Sequence, residues 1–108
     1  LSAGKAKGTA AETDVIGYLR DHGFPNAERR ALNGNADRGD VAGVPGVVIE
    51  VKNAARVELA QWLDEALREG RNANAQVSAV WFKRRGKGSP GQWFVTMTGE
   101  QFTRLIGD

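Results

Sequence analysis

The sequence predicts an α/β domain in which a mixed central sheet is flanked by helices, in the order α-β-β-β-α-β-β-α. Three observations carry this prediction. Val47–Lys52 is the clearest strand, with β-branched side chains at Val47, Val48, Ile49 and Val51. Val57–Arg71 carries Leu59, Trp62, Leu63, Ala66 and Leu67 at helical spacing, so one face is apolar. Helical and strand-like stretches follow one another along the rest of the chain, the pattern of an α/β sandwich around one sheet.

Leu1–Gly8 is small and polar and carries Lys5 and Lys7. It reads as a flexible basic arm over residues 1–8, ahead of a single domain over residues 9–108. The first helix is expected over Ala10–His22, with Thr9 as N-cap and Glu12 completing a Thr-x-x-Glu capping box. Ala11, Val15, Ile16 and Leu19 make its apolar stripe, and Gly23 stops it. Tyr18 is read as a packing residue. His22 falls at the helix end, where a partial positive charge is favourable.

Ala27–Leu32 reads as a strand carrying Glu28, Arg29 and Arg30, followed by the turn signal Asn33-Gly34-Asn35. Asp37 is a turn residue beside it. A short strand, Asp40–Ala42, and a second turn, Gly43-Val44-Pro45-Gly46, lead into Val47–Lys52. After the second helix come strand Val77–Lys83, a basic glycine-rich loop over Arg84–Gly91 and strand Gln92–Met97. Gly86, Gly88 and Gly91 are expected to keep that loop flexible. Thr98 caps a last helix containing Phe102, Leu105 and Ile106. Trp62, Trp81, Trp93, Phe82 and Phe94 are read as core or interface residues.

Composition removes several kinds of chemistry. The 108 residues suit one domain, and 41% hydrophobic content separates the chain from disordered ones. No apolar run is long enough for a transmembrane helix, and the first residues lack the apolar segment of a signal peptide. There is no cysteine, which excludes disulfides, thiol catalysis and cysteine-ligated zinc and fits a cytoplasmic location. With the single histidine His22, a multi-histidine metal site within one chain is excluded, and no Gly-x-Ser-x-Gly turn is present. Catalysis, if any, falls to carboxylates, lysine and a bound metal. The net charge is +2, and without Lys83, Arg84, Arg85 and Lys87 the balance turns acidic. Such a local cluster suits either a phosphate-contacting loop or a solvated one.

The informative stretch runs from Asp40 to Lys52. Glu50 and Lys52 are two apart on a strand, so their side chains share a face, while Val47, Ile49 and Val51 share the other. A three-residue hairpin loop, Val44–Gly46, pairs Gly43 with Val47 and sets Asp40 opposite Glu50. Two carboxylates that close repel unless a cation lies between them. With nearby carbonyl oxygens they suit Mg²⁺, with Mn²⁺ as the alternative. Such an ion polarises a phosphodiester and activates a bound water, and Lys52 can position that water. The competing explanation is a solvated strand face with a surface ion pair.

Asp40, nine residues, then Glu50-Val51-Lys52 resembles the PD-(D/E)XK nuclease motif, with Gly39 where proline is common. Lys7-Gly8-Thr9-Ala10-Ala11-Glu12 resembles the Lys-Gly-Ser-x-x-Glu start of archaeal-type Holliday junction resolvases, and Asp40-Val41-Ala42 resembles their Asp-Ile-Val/Ala segment. Thr13 stands where an arginine usually follows the helix glutamate. Similar short proteins occur in phages of actinobacteria.

The resemblance implies a restriction-endonuclease-like core and a Mg²⁺-dependent endodeoxyribonuclease. Glu12, Asp40 and Glu50 would hold the metal and Lys52 would assist the nucleophile. Glu12 also keeps its separate explanation as a capping residue. Substrate would be branched double-stranded DNA, resolved by paired nicks from a homodimer. An arginine near Arg29 and Arg30 would contact the DNA backbone, and strand alternation sends one of the two toward the site and the other away. Lys5, Lys7, Lys83, Arg84, Arg85 and Lys87 complete the expected DNA contacts. In such nucleases a polar residue on the second helix supports the site; Gln61 reads instead as an exposed position. Two alternatives stand beside this reading. One is a flap, single-strand or nicking nuclease on the same core, and the other is a non-catalytic nucleic-acid-binding module.

Overall fold

The computed structural model describes residues 3–30 and 39–107. The expected turn at Asn33-Gly34-Asn35, with Asp37, lies outside them. The first helix, α1 (Ala3–Asp21), starts well before the expected Ala10. The arm expected over residues 1–8 is thus corrected: its residues 3–8 belong to α1. Alanine and lysine at positions 3, 5, 6 and 7 are strong helix formers, and they carry the helix through Gly4 and Gly8. Thr9 is therefore inside the helix and caps nothing. Its carbonyl accepts a bond from the Thr13 hydroxyl at 3.0 Å. The capping-box role of Glu12 falls with it.

The end of α1 follows expectation. Gly23 has φ +100°, and Phe24 N–H turns back to the Leu19 carbonyl at 3.0 Å. Arg20 Nε donates to the Ala27 carbonyl at 2.7 Å and ties the helix to the next segment. That segment leads into β1 (Glu28–Arg29), which pairs antiparallel with β2 (Val41–Ala42) in the register Arg29 to Val41. Both strands are shorter than expected.

β3 (Val47–Lys52) has the predicted bounds. It pairs in parallel with β4 (Val77–Phe82) after a crossover through α2 (Leu59–Asn72). β4 then pairs antiparallel with β5 (Phe94–Thr96), which a 3₁₀ turn over Pro90–Gln92 precedes. The last helix is α3 (Gly99–Gly107), and Thr98 Oγ1 accepts Gln101 N–H at its start, as the sequence predicts for a cap.

The expected single sheet is two: the pair β1-β2 and the mixed three-stranded sheet β3-β4-β5. The hairpin register between β2 and β3 does not form. Gly43 and Gly46 hold φ of +86° and +76° and turn the connection out of the strand path. The two sheets are joined instead at Asp40, whose N–H donates to the Ile49 carbonyl at 3.0 Å.

Side-chain alternation divides the core. Ile49 and Val51 point toward α1 and pack with Ala11, Val15, Ile16, Leu19 and Trp93. On the opposite face Val80 packs with Trp62 and Ala66 of α2. α3 contributes a single buried residue, Gln101, and its Phe102, Leu105 and Ile106 are exposed. No helix among the described residues is long and apolar enough to cross a membrane.

Candidate functional site

Glu50 is paired in register with Val80, so it lies on the α2 face of the sheet. It is only 7% exposed, which removes the solvated-face explanation. Lys52, two residues on, shares that face. Its ammonium lies 3.7 Å from Glu50 Oε1 and 3.1 Å from Glu65 Oε2 on α2. Burial works against the Lys52 ammonium, but the Glu65 hydrogen bond and the charges of Glu50, Glu65 and Asp40 outweigh it, so its pKa is raised.

Glu65 and Glu69 are the residues that sequence reasoning missed. One carboxylate oxygen from each of them and one from Glu50 lie within 4.8 Å of one another. Glu69 is 2% exposed. The signal was present, since Glu69 falls three residues after Ala66 and seven after Trp62, in phase with the apolar stripe of α2. Gln61 is exposed, as expected.

Asp40 stands at the junction of the two sheets. Its Oδ2 accepts the Val51 N–H at 2.7 Å, so a carboxylate occupies the place that a strand carbonyl would take. Burial is the main cause that pushes the Asp40 carboxyl up to about 7. The charge of Glu50 adds to this, the Val51 bond opposes it, Glu12 adds further and Lys52 opposes. Asp40 thus feels all three of the other residues expected at the site.

Glu12 reaches this region from α1. It accepts a hydrogen bond from Arg29 Nε at 2.7 Å, and a longer bond of 3.4 Å joins the same guanidinium to Thr9 Oγ1. Arg29 is therefore the arginine turned toward the expected site. Arg30 uses its backbone N–H to bond the Asp40 carbonyl at 2.9 Å, and the residue lines a separate cleft with Val44 and Pro45.

The donor set fits a hard divalent cation. All the oxygens are carboxylate, and burial together with the charge of Glu50 pushes the Asp40 carboxyl up, a cost that a cation beside it would offset. The expected triplet Glu12, Asp40 and Glu50 is coupled through Asp40. Among the described residues, the three carboxylates that come within mutual reach as a group are Glu50, Glu65 and Glu69, not the expected triplet.

The remaining expected DNA contacts lie in two places. Lys5 and Lys7 are in α1, and Lys7 is exposed. Lys83, Arg84, Arg85 and Lys87 lie between β4 and the 3₁₀ turn, and Lys83 N–H donates to the Lys52 carbonyl at 3.0 Å. The loop is braced rather than loose. Trp93 Nε1 donates to the Lys87 carbonyl at 2.7 Å and Trp81 Nε1 to the Pro90 carbonyl at 3.1 Å. A Cβ on Gly91 would stand 2.8 Å from the Tyr18 ring, so this glycine serves close packing and not flexibility. Tyr18 in turn stacks on His22, whose Nδ1 lies 2.7 Å from the Tyr18 carbonyl.

Compared with models of protein families, with curated proteins and with solved structures, the chain matches none.

Proposed function

We propose that this chain is a metal-dependent DNA endonuclease similar to Holliday junction resolvases of the PD-(D/E)XK type, acting as a homodimer on branched double-stranded DNA. One observation carries the reading. Asp40 Oδ2 accepts the N–H of Val51, the residue between Glu50 and Lys52, at 2.7 Å, so the motif's aspartate is bonded to the strand that bears its other two residues. The residue before β2 and the motif residues of β3 are thereby neighbours, and the charge of Glu12 on α1 adds to the upward push on the Asp40 carboxyl.

In this reading Asp40, Glu50 and Glu12 hold Mg²⁺ or Mn²⁺, which when bound supplies Lewis-acid polarisation of a phosphodiester and a water of lowered pKa. Val51 N–H fixes the orientation of Asp40. Lys52, held by Glu65, offers an ammonium beside Glu50 that orients the attacking water and stabilises charge on the phosphate. The water oxygen bonds to phosphorus, the ester P–O bond breaks, and a proton passes to the leaving oxygen. Lys83, Arg84, Arg85 and Lys87 neutralise phosphates along the bound strand. Strand order supports the reading, because a parallel β3-α2-β4 unit follows an antiparallel pair carrying the Asp40 end.

The test is cleavage of a labelled immobile four-way junction, with duplex and flap controls, by wild type and Asp40→Asn, each with Mg²⁺ and with chelator. Paired symmetric nicks on the junction alone, lost in Asp40→Asn and in chelator, are expected. Equal cutting of flap or duplex would replace junction resolution by a broader nuclease activity on the same core. Tight binding without cutting under either metal would favour the non-catalytic module.

A further inference from the structure

Phe94, read from the sequence as a core or interface residue, lies outside the core. It is 45% exposed, whereas Trp62 and Trp93 are each 6% exposed. Its register partner on β4 is Phe82, whose partner on β3 is Lys52. Residues in register share a face, so Lys52, Phe82 and Phe94 form one row across the sheet. Two interstrand spacings, roughly 10 Å, separate Phe94 from Lys52 along that row. The row is aromatic from the core outward. Trp62 meets Phe82 with ring centroids 5.6 Å apart, and Phe82 meets Phe94 at 5.1 Å.

The exposed end of the row is cationic. The Arg84 guanidinium lies over the Phe94 ring, 5.3 Å from its centroid, while Lys83 lies over Trp93, which packs on the α1 side of the sheet, at 5.6 Å. Arg85 and Lys87 follow in the same loop. An apolar partner would leave these charges to be desolvated, and a cationic one would be repelled. A polyanion with flat apolar groups satisfies both features, because each phosphate meets a cation and each unpaired base can stack on a ring or a guanidinium. Duplex DNA offers the phosphates but keeps its bases stacked within the helix.

We propose that Phe94 and Arg84 form a stacking platform for an unpaired base of single-stranded DNA, beside the phosphate-binding loop and on the same sheet face as Lys52. This rests on the reading of the chain as a DNA-acting protein and gives it a substrate preference. The platform selects DNA whose bases are already unstacked, as at a branch point, a flap or a gap. The braced loop supports this, since ordering its backbone beforehand lowers the entropy lost on binding.

The test is fluorescence anisotropy of a dye-labelled mixed-sequence single strand, with a matched duplex, in chelator so that no cleavage intervenes. Phe94→Leu keeps an apolar contact with Phe82 and removes the ring, and Phe94→Tyr restores the ring. Circular dichroism checks that both are folded. Phe94→Leu is expected to weaken single-strand binding roughly 5- to 100-fold and to leave duplex binding unchanged, with Phe94→Tyr close to wild type. Arg84→Ala is expected to weaken both DNAs and to shallow their salt dependence. Wild-type single-strand affinity in Phe94→Leu, an equal loss on both DNAs, or no single-strand binding by wild type would each overturn the proposal. The two readings fail separately. Phe94-dependent binding without metal-dependent cleavage leaves the platform and removes the nuclease, and cleavage with an indifferent Phe94 does the reverse.

Discussion

The Lys52 ammonium is closer to Glu65, at 3.1 Å, than to Glu50, at 3.7 Å, although Glu50 is on the same strand and Glu65 comes from α2. The second helix therefore fixes where the lysine charge lies. Both side chains are about a quarter exposed, so solvent screens the pair, and its stability contribution is below about 1 kcal/mol. If the chain is the nuclease proposed, the pair's effect belongs to the chemistry. Glu65→Gln is expected to shift the melting temperature little and to lower kcat for junction cleavage roughly tenfold, with KM unchanged. Glu65→Asp should recover part of the rate, and Lys52→Ala should lose more than Glu65→Gln. A wild-type kcat in Glu65→Gln would remove the positioning role.

Asp40 gives a pH dependence with a definite sign. Its carboxyl, 3.8 ordinarily, is pushed up to about 7 in the fold, chiefly by burial and then by Glu50. The folded state then binds a proton that the unfolded chain has released, so stability falls as pH rises between these values. The cost is absent below about pH 4 and complete above about pH 7. Asp40→Asn keeps an acceptor for Val51 N–H and removes the titration. In chelator, its melting temperature relative to wild type should therefore rise steadily from pH 4 to pH 7. Groups remote from Asp40 titrate alike in both proteins and drop out of the difference. A constant difference across that range would show that Asp40 ionises normally.

Legibility in the sequence followed the range of the interactions. β3 was readable to the residue because its β-branched run and buried alternation are local. Glu50 and Lys52 on one face followed from the same alternation. α1 misled because Thr9 and Glu12 match a local start signal, while helix formers upstream carry the helix past it. The link at Asp40 was missed because a side-chain oxygen replaces a ladder bond, and no pattern of apolar residues reports that. Glu65 and Glu69 lie on another element, and their meeting with Glu50 depends on how α2 packs. Phe94 was left between core and interface because aromatic content alone does not reveal that β5 is the sheet edge.

Gly43 tests the turn that separates the sheets. It holds φ +86°, and an added Cβ would stand 2.0 Å from the Asn26 carbonyl oxygen. Backbone must move to admit any side chain there. Gly43→Ala is expected to destabilise by about 2–4 kcal/mol in denaturant unfolding, from the clash together with the left-handed conformation. Gly88 has open space around it and no such φ, so Gly88→Ala serves as the control and should be near neutral. Similar midpoints for the two variants would mean that the turn adapts at little cost.

Gln101 tests how α3 is held. Its exposed Phe102, Leu105 and Ile106 give it little apolar anchorage, and the buried Gln101 is the link to the sheet. Gln101 Oε1 accepts Ser78 N–H at 2.8 Å. β5 pairs only with Val80–Phe82, so Ser78 lies beyond that ladder and a side chain supplies the missing acceptor. Gln101→Leu keeps the volume and leaves a buried N–H without its partner, at a cost of about 1–3 kcal/mol. Thr98→Ala removes the cap of the same helix and costs about 1 kcal/mol. Because both act on the start of α3, the double variant should lose less than the two costs combined. Hydrogen exchange should quicken across α3 and at the Ser78 amide in Gln101→Leu, while the β3 amides stay protected. Unchanged exchange at Ser78 would show that another group accepts its proton and that α3 docks by other means.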